Sequence, residues 1–420
     1  MHKQITIGGI LAVALLVLPI INQYRILPVT FIYIYCLFFI LCVLLFVPKY
    51  IIQVKLKHLI YFGYVLIQSI ILIALVSKAQ LSYLGIRLLY FSLVFIVFYW
   101  LSKDVLDYSR FKEAYIRISV FVSIAVLIQV ALSLVGIKIA LILPNLMANT
   151  GEPVHTNFFV EVQKINRRYS SFFLEPAHQA QFVMPAIVLL LFSKGKEKNR
   201  ILFSVLITIG IISTTSLQGI LGVGIIWFVF FLMLLKMKTL KSWLVFLGLI
   251  IIGSAVIICA LRQPVIQEQI IKKVSSFNNG DIVQGTSMYR RIIYGWDCYR
   301  DFDWVHKIFG CGYDNSGLYL RETGIGLKYV NYEETGYMSG ISKMFCELGL
   351  IGALMNLSFV VVPALAVRSR LTKVMLLCWL IIMFTSSNFD QLMALVPMYI
   401  ILSEKRIQEK AGRMIYDTAC

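Results

Sequence analysis

Residues 118–137 read Ile118-Ser-Val-Phe-Val-Ser-Ile-Ala-Val-Leu-Ile-Gln-Val-Ala-Leu-Ser-Leu-Val-Gly-Ile137, an uncharged stretch bracketed by Arg117 and Lys138. Wound as a helix rising about 1.5 Å per residue, it reaches about 30 Å, the depth of a bilayer's hydrocarbon core. Comparable runs recur along the chain, and the pattern predicts twelve spans near 4–21, 27–47, 58–76, 81–101, 118–137, 177–193, 201–216, 219–235, 242–261, 341–363, 371–386 and 390–403. Composition agrees. Of 420 residues 59% are hydrophobic and 14% charged, and the mean hydropathy is +0.83. Soluble domains hold about 45–50% apolar and about 25% charged residues, so a water-soluble enzyme is excluded. Barrel strands need alternating segments of about ten residues, which these runs are not. The expected fold is an all-α polytopic membrane protein. The first run follows Met1-His2-Lys3 without a small-x-small cleavage site and reads as a retained span.

The net charge of +18 is mostly a matter of orientation. Assigning alternate loops to two sides places 22 basic residues against seven acidic ones on one side, while the other is near balance. The basic side is therefore expected to be cytoplasmic with both termini inside, and the charge implies no nucleic-acid partner. The chain divides into N-terminal spans (1–137), a first outer loop (138–176), central spans (177–261), a long outer loop (262–340), C-terminal spans (341–403) and a basic cytoplasmic tail (404–420). The inner loops leave no room for a nucleotide-binding domain, so the polar chemistry is expected outside, where the loops are longest.

Within the long loop Tyr289, Ile292, Ile293, Trp296 and Tyr299 recur at helical spacing and predict an amphipathic helix. Arg290, Tyr294, Asp297 and Asp301 fall on its opposite, wet face. The aromatics fit interfacial anchoring or sugar stacking. Cys298 and Cys311 share this loop, either as a disulfide or as separate thiols.

Three constellations bear on chemistry. The first is Asn166-Arg167-Arg168-Tyr-Ser-Ser-Phe-Phe-Leu-Glu175-Pro176-Ala-His178-Gln179-Ala-Gln181. Pro176 suits a first helical turn and Glu175 the cap before it. The positive end of that helix faces the outer side, and guanidinium forks match phosphate oxygens. Arg167 and Arg168 thus make either a phosphate cradle or headgroup contacts beside a capped helix. The second is Arg290-Arg291. The third is the set of charges in or near spans: Arg87, Lys343, Glu347 and Asp390. Such charges usually face a protein cavity. Arg87 either snorkels to headgroups or lines that cavity, and Lys343 and Glu347 can pair at i,i+4 spacing. His2, His58, His155, His178 and His306 form no metal-ligand spacing, so no metal or other cofactor is expected.

The segment Arg168-x-Ser-Ser-Phe-Phe-Leu-Glu-Pro-Ala-His-x-Ala-Gln181, the run Ile308-Phe-Gly-Cys-Gly-Tyr-Asp-Asn315 and Glu347-Leu-Gly-Leu-Ile-Gly352 resemble the corresponding parts of Wzy-type O-antigen and capsular polysaccharide polymerases, in the superfamily shared with O-antigen ligases. The resemblance implies a C-type glycosyltransferase-like fold and a metal-independent transferase at the outer face of the bacterial cytoplasmic membrane. Its substrate would be an undecaprenyl-pyrophosphate-linked oligosaccharide, its surroundings membrane lipids, and a chain-length regulator protein a further partner. Arg167 or Arg168 and Arg290 or Arg291 would hold the pyrophosphate, with Arg87 and Asn315 as further substrate contacts. Ligases carry a histidine shortly before the last-named motif. Here that stretch is Tyr337-Met338-Ser339-Gly340, which favours polymerase over ligase and leaves the general base unassigned. Glu175, His178, Glu333 and Glu334 are the candidates, and the helix cap favours Glu175 or His178. A secondary transporter or a flippase of polysaccharide precursors is the reading from another class.

Overall fold

The computed structural model describes residues 6–25, 30–47, 55–76, 81–142, 147–148, 156–166, 168–193, 199–235, 247–248, 289–329 and 338–419. It is helical, apart from a two-residue antiparallel ladder between Tyr24–Arg25 and Met147–Ala148. The long elements are α1 (Ile7–Ile21), α2 (Phe31–Phe46), α3 (Leu56–Val76) and α4 (Leu81–Val94), which runs on through a π-helical segment (Phe95–Leu101) to Val105. After these come α5 (Tyr108–Leu134), α6 (Thr156–Asn166), α7 (Pro176–Phe192), α8 (Arg200–Ser213) and α9 (Leu217–Leu235). A group of short helices, α10 (Gly295–Asp301), α11 (Trp304–Phe309) and α12 (Ser316–Glu322), precedes α13 (Gly340–Ala366), α14 (Arg370–Thr385) and α15 (Leu392–Ala419).

The fold is that of a multi-pass membrane protein. Four helices among the described residues are long and apolar enough to cross a bilayer: Leu84–Val105, Tyr108–Leu134, Leu217–Leu234 and Gly340–Ala366. Five of the other expected spans are shorter apolar helices, and the one at 242–261 lies outside the described residues except for 247–248. Large apolar side chains lie bare on the flanks, Leu44 at 76% and Leu365 at 62% exposure. In water such a belt would be a liability; against lipid it costs nothing.

At the centre stands α7, continuously buried from Gln179 to Phe192 and packed by α5, α8, α9, α14 and α15. Its all-round apolarity is what a fully enclosed helix requires. Contacts fix the two ends of the bundle. At the basic end the Asp107 N–H donates to Gly8 O (3.3 Å), Tyr108 Oη to Glu404 (2.8 Å) and Lys112 Nζ to Ser193 Oγ (2.8 Å). At the opposite end the Leu174 N–H donates to Gln23 Oε1 (2.9 Å) and the Gly340 N–H to Ser386 O (2.7 Å).

Several expectations change. The segment 404–420 is helical rather than irregular: α15 runs through it to Ala419, because its Glu, Lys, Arg and Ala residues are strong helix formers and Arg406 is tied to Asp104 at 3.2 Å. Helix α5 starts ten residues before the apolar run, capped by Asp107, which accepts from the Arg110 N–H at 3.1 Å. The first outer loop contains α6. Tyr294, placed on the wet face, is fully buried with Tyr289, Cys298, Phe302 and Tyr319 in a small second core. The π turn Arg290–Tyr294 shifts the helical phase there, so the loop's apolar stripe serves its own core as well as the bundle. Cys298 and Cys311 are separate buried thiols in that core.

Candidate functional site

The long loop is anchored in a broken helix. Gly349 has φ +66° and ψ −176° in the middle of α13, a conformation that interrupts its hydrogen-bond ladder. Into this break docks Phe309–Asn315. The Cys311 N–H donates to Cys346 O (2.9 Å) and the Gly312 N–H to Glu347 O (3.0 Å). Gln68 Nε2 donates to Phe309 O (2.7 Å) and Glu347 O (2.8 Å), and Tyr64 Oη to Leu348 O (2.9 Å). The freed carbonyls of residues 346–348 are thereby satisfied within the protein, as irregular backbone inside a membrane fold must be.

Docking carries Tyr313, Asp314 and Asn315 to the buried half of α13. Glu347, 1% exposed, accepts from the Asp314 N–H (3.0 Å) and the Ser316 hydroxyl (2.8 Å). Lys343 Nζ lies 3.6 Å from Glu347 and 3.4 Å from Asp314, and donates to Asn388 Oδ1 at 2.5 Å. Arg87 meets Asp314 at 3.5 Å and Asn315 Oδ1 at 3.5 Å. The Tyr313 hydroxyl donates to Asp390. These groups border a cavity of about 280 Å³, also lined by Asn22, Tyr33 and Tyr90. Its lining holds one cation, Arg87, against three carboxylates, Asp314, Glu347 and Asp390, so it suits hydroxyl groups better than a diphosphate. Arg87 is occupied there by Asp314, and Asn315 is fully buried with its amide donating to Cys311 O at 2.9 Å.

A second polar region surrounds the start of α7. Pro176 opens the helix and Glu175 holds the cap position with extended backbone angles, but its carboxylate does not bond the helix end. That charge instead acts on Arg168 and His178. Arg291 acts on the same two residues, so Arg168 and Arg291, from loops more than a hundred positions apart, lie within electrostatic reach of each other. Burial lowers the Arg168 pKa, Glu175 opposes that, and Arg291 adds to the lowering. A guanidinium so treated remains charged at neutral pH. Among the described residues neither arginine has a carboxylate at ion-pair distance. Arg168 Nε, His178 Nδ1, the whole Gln179 amide, Gln181 Oε1 and Gln391 Oε1 are buried without partners. Each such group costs about 1–3 kcal/mol when left unpaired, and so many in one region point to a bound polar species.

The two regions share a wall. Gln391 Nε2 lies 3.4 Å from His178 Nε2, and its neighbour Asp390 lines the 280 Å³ cavity. Of the sequence-derived candidates, Glu175 and Arg291 lie within electrostatic reach of Arg168 and His178, while Arg87 and Asn315 stand in the adjoining network. Arg167, Glu333 and Glu334 lie outside the described residues, as does the Arg290 side chain. Asp314, Asn388, Gln179 and Gln391 were missed. Asp314 was signalled only as the polar end of the Gly310-x-Gly312 turn, and the glutamines carry no chemical signature alone. Among the described residues no group of three or more His, Cys, Asp or Glu side chains is placed to hold a metal. Compared with protein-family models and with curated proteins, the sequence matches none.

Proposed function

We propose that this chain is an oligosaccharide repeat-unit polymerase of the O-antigen and capsular type, with twelve spans and a C-type glycosyltransferase-like arrangement in the bacterial cytoplasmic membrane. It moves a growing glycan from undecaprenyl pyrophosphate to the next lipid-linked repeat unit at the outer face. The observation that carries this reading is that Arg168 and Arg291 act on each other's surroundings near the N-terminus of α7, among buried polar groups without partners, and that among the described residues neither has a carboxylate at ion-pair distance.

In this reading the two guanidinium groups, with their sequence neighbours Arg167 and Arg290 as alternates, hold the diphosphate and stabilise the charge that develops as it departs. An acceptor hydroxyl attacks C1 of the donor sugar. The C1–O bond to the diphosphate breaks, a new C1–O bond forms, and the hydroxyl proton passes to Glu175 or His178. The adjoining cavity, with Asp314, Asn388, Asp390, Tyr33 and Tyr90, offers acceptors and ring faces for a sugar. Arg87, itself bonded to Asn315 Oδ1, holds Asp314 in place at its edge. The reading needs no metal, and undecaprenyl pyrophosphate is the leaving group. A transporter reading draws on the break in α13, but each of that break's carbonyls already accepts a hydrogen bond inside the protein, unlike the open carbonyls of a transporter's ion site.

The test is electrophoresis of surface glycan from cells whose only copy is Arg168→Ala or Arg291→Ala. Single-unit glycan with normal membrane levels of the protein is expected. Full-length polymer from both variants overturns the reading, and accumulation of lipid-linked polymer assigns the chain to the ligases instead.

A further inference from the structure

The basic end of the bundle, far from the arginine pair, contains a cavity of about 100 Å³ built by four separate segments: Lys55–His58 at the start of α3, Lys103–Asp104 at the end of α4, Phe359 and Pro363 on α13, and Leu402–Lys410 on α15. Six cations line it against two carboxylates. Arg406 is held by Asp104 at 3.2 Å and Lys405 by Glu409 at 3.7 Å. Among the described residues Lys55, Lys57, Lys103 and Lys410 have no carboxylate at ion-pair distance. Their charges converge on one hollow, where Asp104 and Glu409 offset them only in part.

Positive-inside bias accounts for basic loops, but not for what lies deeper. His58 is 2% exposed and lines the hollow. Its ring packs against Phe359 (centroids 5.2 Å apart) and Phe95 (6.4 Å), and its Nδ1 is buried without a partner. Lys57 Nζ sits 4.7 Å over the same Phe359 ring, which holds the ammonium in place. The second oxygen of Asp104 is also buried without a partner. Two buried polar atoms without partners, His58 Nδ1 and Asp104 Oδ2, thus lie at the floor of a hollow whose rim carries four lysines, three of them exposed.

We infer that this cavity is a binding site for a phosphate ester that also carries a hydroxyl group. The phosphate oxygens would take the lysine ammonium groups and an N–H of His58, and the hydroxyl would donate to Asp104 Oδ2. A glycerol-phosphate lipid headgroup and a soluble glycerol phosphate share this chemistry. Basic pockets between membrane helices are known to receive such headgroups. The inference stands independently of the transferase reading.

The experiment uses the full chain in phosphatidylcholine nanodiscs and follows thermal unfolding. One arm adds glycerol 3-phosphate to the solution, and the other replaces part of the lipid with phosphatidylglycerol. A ligand that binds only the folded state raises the midpoint with its concentration. At least one arm is expected to raise it, and the responding arm identifies the source. Lys57→Gln, Lys103→Gln and His58→Phe should each weaken the response at least tenfold in ligand concentration. Lys373→Gln, an exposed lysine that does not line the cavity, should leave it unchanged. The inference is overturned if neither arm shifts the midpoint, or if the three cavity variants respond like wild type. A variant that fails to fold is replaced by Lys410→Gln, whose side chain is exposed.

Discussion

Gly310 and Gly349 pack backbone against backbone. A Cβ built on Gly310 would lie 2.2 Å from Glu347 O and 2.5 Å from Gly349 N, and one built on Gly349 would lie 2.4 Å from Gly310 N. Both have positive φ with ψ near 180°, a region open almost only to glycine. This contact lets the long loop enter the break in α13 and deliver Asp314 to Lys343 and Glu347.

Alanine at either glycine therefore incurs two costs, about 1–3 kcal/mol for the backbone conformation and a clash with rigid backbone. Gly310→Ala and Gly349→Ala should sharply lower the unfolding temperature or the yield of folded protein. Gly136→Ala meets only the first cost, since its φ is +87° but its surroundings are open, and it should lose less. Equal losses at all three positions would remove the docking contact from the account.

The buried charges give a second expectation. Lys343 balances Glu347 and Asp314 together, whereas Glu347 is also bonded by Ser316 and the Asp314 N–H. Lys343→Met leaves a buried carboxylate without its cation and should destabilise by about 3–5 kcal/mol. Glu347→Gln keeps an acceptor for Ser316 and leaves Lys343 with Asp314, so it should cost less. Chemical unfolding of the two variants compares them, and the reverse order would contradict the described network.

Much of this was legible in advance. Apolar runs such as 118–137 located the four helices that are long and apolar enough to cross, because lipid demands about twenty apolar residues whatever the neighbours are. The Glu175-Pro176 pair marked the start of α7 correctly, since a proline at a first helical turn is a local preference. Helix limits in charged stretches were not legible: hydropathy falls at Lys405, but the helix continues through Lys405-Arg406 and beyond. Nor was the pairing of Gly310 with Gly349. Each motif looked like a turn or a helix start by itself, and only tertiary docking makes the two one structure. Tyr294 was misplaced because a π turn adds a residue to the helical repeat, which periodicity counted at 3.6 cannot register.

Acid should loosen one contact in the short-helix group. The Tyr329 hydroxyl (2.9 Å) and the Lys328 ammonium (3.1 Å) hold the Asp301 carboxyl below its ordinary range. A depressed folded value means the contribution is complete above the unfolded pKa of about 3.9 and is lost as pH falls through the folded one. Exchange protection of 326–329, corrected for intrinsic rates, should be flat from pH 7 to about 4 and drop below that. Asp301→Asn should remove the step, and a step at neutral pH would contradict the assignment.

The central claim is that Arg168 and Arg291 jointly bind a lipid diphosphate. Its most direct measurement is calorimetric titration of a short-chain polyprenyl pyrophosphate, and of the matching monophosphate, into wild type, Arg168→Gln and Arg291→Gln in nanodiscs. Hydrogen bonds to charged groups are worth about 1.5–3 kcal/mol, so each variant should bind the pyrophosphate at least about tenfold more weakly, with a smaller loss for the monophosphate. Unfolding temperatures within a degree or two of wild type, as expected for side chains lacking ion-pair partners, would confine the loss to binding. Unchanged pyrophosphate affinity in both folded variants would contradict the claim.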